Sequence, residues 1–306
     1  MARYIDWTGH GAMAVAPPAV FTGARAAAFA FHHNGDAVQA LVDKLLTPGG
    51  GGLVRYKPLG GLAVVSFMRI ARCASRRRNG WAPGRECAVW LPLLEFRQGR
   101  PLPRPVIWAP YVFIDYAIGL VTGREVWGWP KAHGTILAPG EAGQSDFSCA
   151  TMIFRDTDRD DEGRVERLLT VVNTGAEVAD PNLNADVAAS RFSDLLLRGE
   201  PRAAEAGGFG AVVPAIALKQ FPDSNRPSEA CFQAIVNSPC RMTAFHRGGS
   251  FGGDPTLLIA NCKSHGIAAD ILAAPVAVSG HTTVGIAWSA WFEFDFEALP
   301  ASAVAP

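Results

Sequence analysis

Phe292-Glu293-Phe294-Asp295-Phe296-Glu297 is a strict alternation of aromatic and acidic residues. At the two-residue period of an extended chain the rings share one face and the carboxylates the other, which predicts a half-buried strand with one wet side. The same signature recurs upstream in weaker form. Residues 24–31 (ARAAAFAF) are short and apolar with Arg25 as their only charge, 53–70 alternate β-formers around Gly60-Gly61 like a hairpin, and 87–91 and 106–114 are further apolar runs. Pro92 is expected to close or bend the run that begins at Cys87. Many short strands with turn residues between them, and few helices, predict a mainly β fold built on a large antiparallel sheet or barrel rather than a doubly wound α/β fold.

Helical spacing is confined to a few places. Val38, Leu41, Val42 and Leu45 recur at it, with Asp36 as the expected N-cap and Pro48 just beyond. Asp115 is expected to cap a short segment containing Ala117, Ile118 and Leu120, which Gly123 ends. A further helix is expected over 185–197, followed by a small, glycine-rich passage over 203–210. The acidic run 155–163 has its glycine and glutamate in the wrong places for a calcium loop and reads as a hairpin tip. Gly49 to Gly52 lack the Lys-Ser or Lys-Thr of a phosphate-binding loop, and His32-His33 read as a turn rather than a metal site.

Composition narrows the function. The chain of 306 residues is 49% hydrophobic and 18% charged, which fits neither a disordered nor a membrane class. A formal net charge of zero removes the basic footprint of a nucleic-acid binder, and Arg76-Arg77-Arg78 reads as a solvated loop. The six cysteines form no CxxC pair, so neither structural disulfides nor zinc are expected. The apolar run 12–21 is interrupted by Pro17 and Pro18 and is too short to span a bilayer, so no membrane segment and a cytoplasmic location are expected.

One stretch carries chemistry: Gly123-Arg124-Glu125-Val126-Trp127-Gly128-Trp129-Pro130-Lys131-Ala132-His133-Gly134. It sets a lysine directly after two tryptophans and a proline. A buried, unpaired ammonium is costly, and such a lysine tends towards the neutral, nucleophilic amine. The differential solvation needed at neutral pH is about 4 kcal/mol, within reach of burial alone. If the chain is extended here, Trp127, Trp129, Lys131 and His133 share one face with Ala132 opposite, although Pro130 favours an edge or a bulge. Of the five lysines only Lys131 and Lys219 have largely apolar surroundings. The ordinary fate of a strand lysine is a buried stem with its head in water, and Lys219 serves as the internal control.

These residues, in this order, resemble the acetoacetate decarboxylase family: Asp115, then Gly123-Arg124-Glu125 with Pro130-Lys131, then 215–223 (AIALKQFPD), and finally 252–258 and 273–283. The resemblance covers nearly the whole chain. It implies a single domain over 1–306 with an irregular N-terminal arm over 1–22, and an antiparallel β-barrel or cone around a buried cavity. It also implies a homo-oligomer, no cofactor, and a small keto-acid or ketone substrate as partner. By position Lys131 corresponds to the family's Schiff-base lysine, Glu86 to its cavity glutamate, and Arg25 to an arginine facing the substrate carboxylate. Trp90, Trp127, Trp129 and His133 are then expected around the substrate, with His133 a second acid or base. Family decarboxylases usually carry a second lysine after the first, where this chain has Ala132. Members lacking it include enzymes that resemble aldolases or dehydratases acting on pyruvate-like substrates. Decarboxylation of a β-keto acid is therefore expected ahead of aldol or dehydration chemistry, and a ligand-binding barrel without catalysis is the rival class.

Overall fold

The computed structural model describes residues 14–77, 80–138, 146–188, 190 and 212–305. Its strands, in chain order, are β1 (Ala19–His32), β2 (Val54–Pro58), β3 (Leu62–Ser75), β4 (Trp81–Arg97), β5 (Arg104–Ile114), β6 (Lys131–His133), β7 (Thr135–Leu137), β8 (Phe147–Ile153) and β9 (Arg164–Val172). They continue with β10 (Glu177–Ala179), β11 (Val212–Val213), β12 (Ala215–Pro222), β13 (Ala230–Asn237), β14 (Cys240–Phe251), β15 (Thr256–Ala260), β16 (His281–Gly285), β17 (Trp288–Ala298) and β18 (Ser302–Ala305). Helices Gly35–Leu45, Ala117–Thr122 and Ile267–Leu272 are short. The mainly β reading holds.

The large sheet runs β10-β14-β17-β1-β3-β4-β5-β12-β13-β18, with β6 and β12 both parallel to β5. A second sheet, β16-β15-β9-β8-β7, covers one of its faces. The pattern of β1 explains the division. Ala27, Phe29 and Phe31 are fully buried and meet Phe67, Phe147 and Phe251 between the two sheets, each ring contributing roughly 1.5–3 kcal/mol by burial. The alternate residues Ala24, Ala26, Ala28 and Ala30 are small, and they line the other face of the large sheet.

That other face is curled upon itself. β13 and β18 lie at one side of the strand order and β14 and β17 near the other. Yet β13 runs into β14 through Ser238 and Pro239 alone, and β17 into β18 through residues 299–301. Links so short require the two sides of the sheet to come together, which rolls it into a cone. Trp127 braces this seam: its Nε1 donates to the Leu299 carbonyl at 2.9 Å, and its own carbonyl accepts from Ser238 Oγ at 3.0 Å.

Several local expectations are corrected. Asn34, not Asp36, caps the first helix, its Oδ1 accepting from Ala37 N, while Asp36 sits in the first turn where its charge complements the helix dipole. Pro92 does not end β4; it falls where β4 exchanges β3 for β2 as its neighbour, so no ladder bond is lost there. Asp115 does not cap its helix, for Tyr116 holds that position, and Asp115 Oδ1 instead accepts from Arg85 N at 2.7 Å. The proposed arm 1–22 is already strand from Ala19. The acidic run does form the link between β8 and β9. The helix expected over 185–197 starts at Ala185 with Asn184 accepting from Val187 N, while 191–197 and the passage 203–210 lie outside the described residues. Among the described residues, no helix is long and apolar enough to cross a membrane.

Candidate active site

Lys131 opens β6 and pairs with Val112 of β5, while Glu86 on β4 pairs with Ile114 two residues further along β5. Both side chains leave the same face of the sheet, and Lys131 reaches across β5 to Glu86. Its Nζ lies 2.6 Å from Glu86 Oε2, with side-chain exposures of 12% and 14%. The apolar run before Lys131 predicts by itself a dry, unpaired amine, and the family resemblance adds Glu86 to the same cavity. The structure gives the lysine a carboxylate partner, a charge-assisted bond across which a proton can pass.

The Gly-Arg-Glu run is built around this lysine. After the helix Ala117–Thr122, residues Gly123–Trp127 widen into a π-helical turn that closes at Gly128 in the left-handed region, φ +77°. A β-carbon placed on Gly123 would lie 2.6 Å from Lys131 Cε, so only glycine leaves room for the lysine stem. Arg124 Nη1 donates to the Lys131 carbonyl at 3.1 Å and fixes the backbone. Gly128 performs a similar service for Lys219, whose Cβ would lie 2.6 Å from a β-carbon there. The Lys219 ammonium is held below the ordinary lysine range by burial, with the Glu125 charge pulling the other way.

Aromatic and thiol groups surround the pair. Trp90 and Trp129 meet edge to face at 5.8 Å, with Trp90 Nε1 donating to Ser66 Oγ at 2.9 Å. Tyr116 fills a notch between Gly84 and Gly119, where a β-carbon on either would lie within 2.7 Å of its ring. Burial, then Cys73 and Glu86, push the Tyr116 phenol above the usual tyrosine range. Cys73, hydrogen-bonded to Tyr116, is raised by burial to about 11, and Cys240 to about 12; both lie within the electrostatic reach of Lys131 and Glu86. Sequence reasoning missed Tyr116, Cys73 and Cys240. They converge through strand register over long separations, and Gly84 and Gly119 were the only local signal.

Three expected site residues, and position 132, call for separate description. Trp127 lies in the π turn before β6 and so falls outside the alternation of that strand; it packs with Ala19 and Ala298 in one cluster with Phe21 and Trp129. Arg25 pairs in register with Arg69, which pairs with Arg85, a row adjacent to Ala26, Met68 and Glu86 and therefore on the opposite face. There it pairs with Glu177 and with Glu293 at 2.9 Å and lies over Trp291 at 5.3 Å, so it does not face Lys131. His133 is exposed and lines a separate hollow of about 290 Å³ with Thr151, Met152 and His265. Ala132 borders that same hollow and packs towards the inter-sheet core, so position 132 points away from Glu86.

The fold has precedents among solved structures. Acetoacetate decarboxylase from Legionella pneumophila superposes with a TM-score of 0.60 over 95% of this chain and 88% of that one, at 14% identity. The fold is that of acetoacetate decarboxylase. An acetoacetate decarboxylase-like enzyme from Sphingomonas wittichii shares it with a TM-score of 0.59, 14% identity and coverage of 95% and 94%. The enduracididine biosynthesis enzyme MppR complexed with pyruvate shares it at 0.56, 18% identity and coverage of 97% and 94%. No protein-family model and no curated protein matches the sequence. The acetoacetate decarboxylase fold thus extends to a chain in which alanine follows the lysine at position 131.

Proposed function

We propose that the protein is a Schiff-base lyase that decarboxylates a β-keto acid through Lys131. The observation that carries this reading is the 2.6 Å contact between Lys131 Nζ and Glu86 Oε2 on the inward face of the rolled sheet. Glu86 takes the ammonium proton, and the freed nitrogen lone pair adds to the substrate ketone to give a carbinolamine. Glu86 then returns its proton to the departing hydroxyl, water leaves, and a protonated imine remains. The electron pair of the bond to the carboxylate flows into that imine as carbon dioxide departs. The resulting enamine is protonated on carbon and hydrolysed, which returns ketone and lysine.

A carboxylate that leaves gains from weak stabilisation in the bound state, because its charge must flow inwards. Arg25 is turned to the other face and neutralised by two glutamates, which supports this reading. Aldol or dehydration chemistry on pyruvate or another 2-oxo acid is the second reading, favoured by the fold shared with MppR, which was solved with pyruvate. It needs a carboxylate held throughout, and the diverted Arg25 counts against it. The direct test is carbon dioxide release from a panel of β-keto acids, run beside aldehyde consumption with pyruvate. Release that is lost in Lys131→Ala supports the lyase; aldehyde consumption without release supports the second reading; neither activity supports a non-catalytic binder.

A further inference from the structure

We infer that the substrate taken by this site carries an aryl tail rather than a second anionic group, an inference that rests on the imine-forming role of Lys131 proposed above. The wall beside the Lys131–Glu86 pair is built by Phe21, Met68, Tyr116, Phe294 and Phe296, packed as one cluster around Ala24, Ile70 and Cys73. Three observations tie this cluster to the pair. Met68 is the ladder partner of Glu86, and Tyr116 and Cys73 both lie within the electrostatic reach of Glu86.

The rings are arranged as a surface that another ring can continue. Phe21 and Phe296 stack at 4.5 Å with 12° between their planes, and Phe294 meets Phe296 at 5.5 Å. All five side chains are only half-buried although they belong to the inward face, so apolar surface remains to be covered. The alternation of β17 removes charge from the same wall. Glu293, Asp295 and Glu297 leave the opposite face, where Glu293 holds Arg25 and Arg247, and the buried Glu297 holds Arg76 and Arg241. Each of these arginines is thereby committed to that opposite face. An anionic tail would meet aromatic rings and the Glu86 carboxylate, whereas an aryl tail would stack on Phe296 and cover Met68.

Two methyl ketones test this on the full-length protein: 4-phenylbutan-2-one and levulinate, which carry a phenyl ring and a carboxylate on the same ketone. Half-saturation of borohydride trapping is measured for each, with calorimetry of the phenyl ketone on wild-type protein and on Phe296→Leu. The expected result is a half-saturation for the phenyl ketone at least about tenfold below that of levulinate, a gap reduced in Phe296→Leu. Trapping of levulinate as well as or better than the phenyl ketone would overturn the aryl assignment and leave the imine reading intact. If neither ketone is trapped, the imine reading falls, and calorimetry decides the tail: weaker binding in Phe296→Leu upholds an aryl site, and equal or undetectable binding overturns it.

Discussion

Lys131 and Lys219 rest on the same short loop, each over a glycine that makes room for it, Gly123 for one and Gly128 for the other. Their surroundings nevertheless differ in kind. Lys219 Nζ donates to the Val126 carbonyl at 3.4 Å and lies about 6.0 Å from Phe221 and 5.8 Å from Phe232, and burial lowers its affinity for its proton. Among the described residues no carboxylate forms an ion pair with it. Lys131 has Glu86 at 2.6 Å. Dryness is therefore the lesser requirement. In the proposed reaction the attacking lysine must also hand its proton to something that can return it to the leaving hydroxyl, and of these two lysines it is Lys131 that has such a partner.

Replacing that partner is expected to have the largest effect. Glu86→Gln should slow imine formation by roughly 10²- to 10⁴-fold, measured as the rate of reductive trapping, while Glu125→Gln, near Lys219, should leave it unchanged. Equal rates in both variants would erase the distinction between the two lysines. The glycines sharpen it further. Gly123→Ala forces the Lys131 stem aside and should cut trapping by about tenfold or more, a misplacement effect. Gly128→Ala adds a β-carbon at positive φ and against the Lys219 backbone, and should cost about 2 kcal/mol or more in denaturant unfolding while trapping persists.

Titration separates the two environments more gently. Cys73 and Cys240, raised to about 11 and 12, remain thiols at pH 8, so iodoacetamide should modify the exposed Cys231 first, with the other two reacting as pH climbs towards those values. Early modification of Cys240 would mean that the seam beside Lys131 is open. The smallest effect concerns Lys219. Burial lowers it, so in a titration of dimethylated lysines it should lose its proton below the pH at which exposed lysines do. Glu125→Gln removes the opposing charge and should move it lower still; an upward move would contradict the assignment.

Much of this was legible in the sequence. The Phe/acid alternation of β17 gave the strand and the division of its side chains between two faces, though the acidic face is not wet, for Glu293 and Asp295 are half-buried and Glu297 is buried; Lys131 and Glu86, singled out in the sequence, lie in contact. The direction of Arg25 was not legible, because a strand's two faces differ by one residue of register, and register is fixed by β3 and β17 rather than by β1 itself. Nor was the place of Trp127 in a π-helical turn rather than in β6, since such a turn has no signature in side-chain spacing. Position 132 also carried less information than its place beside the lysine suggests. It faces the opposite side of β6, so the alanine there says little about which bond is broken.

The most direct measurement is peptide mapping after borohydride reduction in the presence of a ketone panel that includes acetoacetate and 4-phenylbutan-2-one. The account predicts one adduct per chain, on the peptide bearing Lys131, and none in Lys131→Ala. An adduct on the Lys219 peptide, or no adduct with any ketone of the panel, would contradict it.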